Sequence, residues 1–298
     1  MATTILCIGI ATLDIINTVD GYPEEDAEVR AKSQRVCRGG NATNTLVVLS
    51  QLGHRCTWGG VWVDEPDGQR ILEDLAYYSI DTSPCRVESQ GKVPTSYIVL
   101  NQRNGSRTIV HYRDLPEFNF ADFEAIDLSA FDWLHFEGRN VAETVRMLER
   151  VRQIRPNLPI SLEVEKYRPD IEQLFSKVDV LLFSREFARS QTAEVCQTEK
   201  VLAALFLRTI QRQAPHVRLV CAWGASGAYA LETDGTLLHS PAYSPPQVVD
   251  TLGAGDTFNA GIIDSLCRQQ DLATALYHAC RLAGKKCGQV GFEGLIQL

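Results

Sequence analysis

The sequence predicts an α/β fold: a doubly wound, mainly parallel sheet flanked by helices, with a small β-sheet lid. Three observations carry this. Short apolar, β-branched runs alternate with helical patterns along most of the chain. Two segments, roughly 12–38 and 94–113, break that alternation and read as extended or hairpin structure. A chain of 298 residues with 45% hydrophobic content can bury the core that a sheet covered on both faces needs.

Ile5 to Ile10 reads as the first buried strand and Ala42 to Leu52 as a helix stopped by Gly53. Thr57 to Val63 reads as a strand. Asp67 to Tyr78 reads as a helix, with Ile71, Leu72, Leu75 and Tyr78 on one face. The strands Trp133 to Phe136, Ile160 to Val164, Val178 to Phe183 and Arg218 to Ala222 follow, with helices at Val141 to Ile154 and Lys200 to Gln213. Asn104-Gly105 marks a hairpin, and Gly224 to Ala242 reads as β-structure turning at Asp234-Gly235. Asp256 to Arg268 and Leu272 to Cys287 read as closing helices. No linker or repeat divides the chain, so one domain over residues 1–298 is expected. Function is expected in the loops after strands, where such sheets collect ligands.

A net charge of −8 excludes a broad nucleic-acid footprint. No apolar run reaches membrane-spanning length, and the N-terminus lacks a basic stretch before an apolar one. The nine cysteines show no zinc spacing and read as small core residues in a cytoplasmic, reducing setting.

The segment Asp250 to Gly261, DTLGAGDTFNAG, carries the most chemistry. Gly253, Ala254 and Gly255 stand just before a helix, where small residues and consecutive amides form an anion site. Asp256 enters the first helical turn as an acceptor, and the helix field is expected to lower its pKa. A weak base suffices for phosphoryl transfer, whose transition state is loose. The same residues also fit an ordinary Gly-rich turn. They form neither a Walker A loop nor a dinucleotide fingerprint, and Gly284-Lys285-Lys286 reads as a surface turn. A second group, Arg38-Gly39-Gly40-Asn41-Ala42-Thr43-Asn44, places the amides of Asn41 and Asn44 on one helix face. These amides can bond sugar hydroxyls, or merely cap a helix. Asp14, just past the first strand, is a third candidate and fits a turn residue equally well.

Together GGNATN and DTLGAGDTFNAG resemble the two signatures of the PfkB (ribokinase-like) carbohydrate kinases, in the right order at opposite ends of the chain. Further stretches resemble members that phosphorylate ketohexoses: Gly21 to Asp26, Asn104 to Val110, His135 to Asn140, Val220 to Trp223 and Ala283 to Gly288. The resemblance implies ATP-dependent conversion of D-fructose to fructose 1-phosphate, with Asp256 as base and the Gly253 to Gly255 amides as anion hole. It implies Asp14, Gly40, Asn41 and Asn44 on the sugar, and Asp26 reaching a partner subunit's sugar in a homodimer built through the lids. It implies Arg107 on the ATP phosphates, Gly224, Ala225, Ser226 and Gly227 with Gly253 to Asp256 on the nucleotide, and Pro245, Pro246 and Cys287 near adenine. Mg²⁺ would ride on the phosphates, and a K⁺ ion would bind backbone carbonyls near the loop. One departure leaves metal ligands unassigned: Ser184-Arg185-Glu186-Phe187 stands where many members carry Asn-x-x-Glu. A kinase of ribose, adenosine or a keto-deoxy sugar acid, or a non-catalytic sensor, fits the same motifs. His135, Glu137 and Arg139 receive no role, His135 being read as a strand residue with a local partner.

Overall fold

The structure, a computed structural model, describes residues 2–296 except 104 and 193–197. The first half runs β1 (Thr4–Ile8), β2 (Thr12–Val19), β3 (Ser33–Gly39), α1 (Asn41–Gln51), β4 (Arg55–Gly59), β5 (Val61–Val63) and α2 (Pro66–Tyr77). Then come β6 (Arg86–Glu88), β7 (Thr95–Asn101), β8 (Arg107–Tyr112), α3 (Phe120–Glu124), β9 (Trp133–Glu137) and α4 (Val141–Ile154). The remainder is β10 (Ile160–Val164), β11 (Val180–Phe183), α5 (Arg185–Gln191), α6 (Glu199–Gln213), β12 (Arg218–Ala222), β13 (Ala228–Leu231), β14 (Leu237–Ser240), α7 (Ala254–Cys267) and α8 (Leu272–Cys287).

Eight strands form the main sheet in the order β14-β13-β12-β11-β10-β9-β1-β4. Pairing is parallel from β4 to β12, and β13 and β14 close the far edge antiparallel. β9, β10 and β11 are buried at every position; β11 is a continuous apolar run, whereas β9 carries His135 and Glu137 and β10 carries Ser161 and Glu163. From β1 the chain first steps to β4, then returns to β9 on the other side. That reversal is a topological switch point and opens a crevice beyond the C-terminal ends of β1 and β9.

The smaller sheet has the order β3-β2-β7-β8, built from the two segments that broke the alternation. Its pairing lines up Cys37, Asp14, Ser96 and His111 in one row, and Val36, Ile15, Tyr97 and Val110 in the next. Strand alternation puts these two rows on opposite faces. Gly105, with φ 70, serves the β7–β8 turn, whereas Asn104 of that expected turn lies outside the described residues.

Several expectations need correction. Thr57 to Val63 is not one strand: β4 ends at Gly59, and Val61–Val63 pairs with β6 in a separate two-stranded sheet. Asp14 does not sit in a turn but inside β2, buried and paired in register with Cys37 of β3 and Ser96 of β7. Lys286 is not on a surface turn. It is fully buried in the last turn of α8, where Asp250 compensates the ammonium. His135 is the buried strand residue expected, its Nδ1 2.9 Å from Ser161 Oγ.

Candidate active site

At the switch point Gly9, directly after β1, leaves space for a carboxylate from β9. A Cβ on Gly9 would lie 2.6 Å from Glu137 Cδ. Glu137 Oε1 accepts from Ala42 N at 2.6 Å and Ile10 N at 3.3 Å, so it satisfies the first turn of α1 from a neighbouring strand. The helix's own N-cap, Gly40, makes no side-chain bond and has φ 101. A Cβ there would stand 2.3 Å from Ile10 O, which restricts the position to glycine. With capping supplied by Glu137, Asn41 and Asn44 are released for other partners.

Those partners are carboxylates. Asn44 Nδ2 donates to Asp256 Oδ2 at 2.7 Å, while Arg38 donates to Asn44 Oδ1 at 2.7 Å. Asn41 Nδ2 donates to Glu163 Oε2 at 3.1 Å and Glu165 Oε2 at 3.3 Å. Asn259, one turn beyond Asp256 on α7, donates to the other oxygen of Glu163 at 2.9 Å. Two helices therefore present amide donors to acidic groups at the ends of β9 and β10. Asp14 stands in front of Gly39, where a Cβ would come within 2.3 Å of its Oδ2, and accepts from Thr12 Oγ1 at 2.9 Å.

Burial governs the charges here. It raises the Asp14 carboxyl above its usual range and pushes Glu137 up to about 7. Asp256, 7% exposed, is likewise raised to about 7, by desolvation first and then by the Glu165 and Glu137 charges. The bond from Asn44 and the charge of Arg38 pull it back only in part. The expected lowering by the helix field is thus overturned, because loss of water and nearby carboxylates outweigh the dipole. Glu163 is raised well above the carboxylate range by burial and by Asp256.

The opposite wall follows residues 241–256. Gly253 caps α7 with φ 75 and no side-chain bond, and a Cβ on Gly255 would meet nothing within 4 Å. Ala254 N donates to Thr251 O at 3.3 Å, while the amides of Gly255 and Asp256 lie in the first helical turn, with open space at Gly255. Gly224–Ser226 form a 3₁₀ turn after β12, and Gly227 packs against Ser240 O, so this turn also serves the β12–β13 connection. Pro245 packs on Gly288, beside Cys287, whose carbonyl accepts from Val249 N at 2.7 Å and Asp250 N at 3.2 Å. Pro246 follows on the same loop. Arg107, at the start of β8, donates to Thr251 Oγ1 at 3.1 Å.

The structure brings Asp14, Gly40, Asn41 and Asn44 to the Asp256 side and Arg107 to the loop. Asp26 is not brought in by its own chain: it is exposed on the β2–β3 connection with φ 64. Glu137, Glu163, Glu165 and Arg38 were given no role from sequence. For Glu137 and Glu163 the signal was a carboxylate ending an otherwise apolar parallel strand. Asp250 anchors the loop, accepting from Arg35 at 3.1 Å, Lys286 at 3.1 Å, and the amides of Leu252 and Gly291. Among the described residues no group of three or more His, Cys, Asp or Glu side chains could hold a metal, and no helix is long and apolar enough to cross a membrane.

The chain is similar to known proteins along its full length. The profile of the pfkB family carbohydrate kinases matches residues 2–295. Ketohexokinase of Mus musculus is 44% identical over 299 residues, covering 98% of both chains. Ribokinase of Bacillus subtilis is 25% identical, covering 97% of this chain and 94% of that one. The fold matches the solved structure of Giardia lamblia ribokinase with a TM-score of 0.81 at 16% identity, covering 99% and 95% of the two chains. Arabidopsis thaliana ribokinase, complexed with ribose and ATP, matches with a TM-score of 0.77 at 18% identity, over 97% and 92%. With its carboxylate at the start of α7, its amide-lined crevice and these matches, the chain belongs to the pfkB family of carbohydrate kinases.

Proposed function

We propose that this kinase transfers the γ-phosphoryl group of MgATP to a ketohexose, D-fructose giving fructose 1-phosphate. The observation that carries the reading is the Asn44–Asp256 pair at the start of α7, in a chain 44% identical to a ketohexokinase. In this reading Asp14, Gly40, Asn41 and Asn44 hold the sugar, and Asp256 orients its hydroxyl and takes the proton late in transfer. The amides of Gly253, Ala254 and Gly255 receive the phosphoryl charge as it migrates. Arg107 exchanges Thr251 for the ATP phosphates, to which its planar fork is matched. The Gly224 to Gly227 turn, with Pro245, Pro246 and Cys287, lines the nucleoside side.

The raised pKa of Asp256 gives this base more strength than a surface carboxylate has. Mg²⁺ enters with the nucleotide, since a phosphate-bound ion keeps waters and needs no protein cage. A K⁺ ion at the loop would use carbonyls other than that of Asp250, which already accepts from Lys286 Nζ at 3.0 Å. The eight described cysteines, all free, favour a cytoplasmic setting. The exposed Val36, Tyr97 and Val110, 36%, 45% and 65% accessible and in one row, favour a homodimer through the small sheets. That arrangement would let Asp26 reach the partner's sugar.

ADP release measured with fructose, ribose, adenosine and a keto-deoxy sugar acid tests the substrate. Fructose is expected to be turned over best, and turnover of another alcohol without fructose rejects the ketohexose. For fructose, kcat/KM should rise with pH up to about 7 and then level, because Asp256 must lose its proton to act. Asp256→Asn should lower kcat by about 10²–10⁴ with fructose affinity nearly unchanged. Wild-type turnover by that variant removes Asp256 from the mechanism. Mixing Asp26→Ala with Asp256→Asn subunits should restore about a quarter of wild-type sites if the dimer shares Asp26. No recovery counts against sharing.

A further inference from the structure

We propose that Glu163 is a positioning residue that sets the hydrogen-bond polarity of Asn41, so that Asn41 meets the acceptor sugar only through its carbonyl oxygen. The inference rests on the reading of Asn41 as a sugar-binding residue. Asn41 Nδ2 lies 3.1 Å from Glu163 Oε2 and 3.3 Å from Glu165 Oε2. An amide group whose nitrogen donates to two carboxyl oxygens is thereby oriented with its donor toward Glu163 and Glu165. The carbonyl half is the part left for a ligand, and Asn41 is half-exposed while Glu163 is buried. A ligand group meeting that carbonyl must donate, as a hydroxyl does. A carboxylate or phosphate oxygen meeting it would find only repulsion.

Glu163 is itself fixed from the other side. Its Oε1 accepts from Asn259 Nδ2 at 2.9 Å, and Asn259 is buried on α7. One carboxylate thus spans α1 and α7, the two helices that also share the Asn44–Asp256 bond. Its backbone is equally constrained, being paired with Glu137 across the parallel strands β9 and β10. Sugar orientation and base position are therefore referenced to the same side chain. Glu163 does this without touching the reacting atoms.

Glu163→Gln gives the test its direction. The introduced glutamine has one side-chain oxygen, which stays with the more deeply buried Asn259. Its amide nitrogen then faces Asn41, which turns over and offers the sugar a donor. The KM for the sugar should rise at least about tenfold, as for a lost buried hydrogen bond. The KM for ATP and the half-saturating Mg²⁺ concentration should stay within about twofold, which general damage to the site would not allow. Asn41→Asp alone should also raise sugar KM about tenfold or more, by replacing the amide donor with an acid set against Glu163 and Glu165. The double variant Asn41→Asp/Glu163→Gln lets the new glutamine donate to the new aspartate and again presents an oxygen to the sugar. It should return to within about threefold of wild type.

The experiment is this four-protein cycle, with thermal melts of each protein and the acceptor that wild type uses best. Recovery in the double variant supports the proposal even where Glu163→Gln alone is unstable. A sugar KM unchanged in Glu163→Gln, a double variant no better than the worse single, or a shift confined to Mg²⁺ or ATP overturns it. The wild-type arm separately tests the ketohexose reading: preference for another alcohol rejects fructose while the variant ratios still decide the role of Glu163. A wild type that phosphorylates no alcohol rejects both.

Discussion

Asn44 Nδ2 donates to Asp256 Oδ2 at 2.7 Å across 212 residues of sequence, and the site is arranged around that bond. It joins the first turn of α1 to the first turn of α7, so in the proposed function the sugar and phosphate sides share one reference point. Thr45 Oγ1, 3.4 Å from Asp256 O, adds a second link between the helices. The bond has no freedom to drift, because Arg38 occupies the other half of the Asn44 amide and is itself tied to Asp74 on α2 at 2.5 Å. Gly40 lets the chain pass Ile10 at the start of α1, and Gly261 lets α7 lie so close to α8 that a Cβ would reach within 2.7 Å of Ala279 Cα.

The same closeness sets the electrostatics. Asp256, Glu137 and Glu163 are all buried at one crevice, with Arg38 and Arg139 as nearby cations. Desolvation and mutual repulsion raise these groups, while asparagine amides orient Asp256 and Glu163 and the backbone amides of Ile10 and Ala42 orient Glu137. A site of this kind favours proton acceptance from a hydroxyl over contact with another anion. The proposed phosphate side has the opposite character, with helix amides beside the open space at Gly255 and Arg107 bonded to Thr251 on the same loop. Asp250 neutralises Lys286 and Arg35 within the structure, whereas Arg107 bonds only the neutral Thr251 hydroxyl among the contacts at this loop.

The main sheet was legible because its buried parallel strands are short, mainly apolar and β-branched runs, as in Ile160–Val164 and Arg218–Ala222, whose limits agree with the reading. The split of Thr57 to Val63 was not, since the Gly59-Gly60 pair looks like two strand residues until a separate partner, β6, is seen. The two helix starts were visible as GGNATN and GAGD, where glycine and polar residues cluster. The link between them was not, for it depends on tertiary contact. Glu137 and Glu163 were invisible for the same reason: in sequence each is a single charge at a strand end. The direction of the Asp256 shift failed because sequence shows the helix dipole but not the depth of burial. Lys286 failed because a buried ammonium can be read only together with Asp250.

A structure of the protein with fructose and a non-transferable ATP analogue tests the role of Asp256 most directly. One sugar hydroxyl is expected within hydrogen-bond reach of Asp256, about 2.6–3.2 Å, with the γ-phosphorus in line with that oxygen near the Gly253 to Gly255 amides. A sugar bound with no hydroxyl near Asp256, or a γ-phosphate held on the far side of the loop, would contradict it.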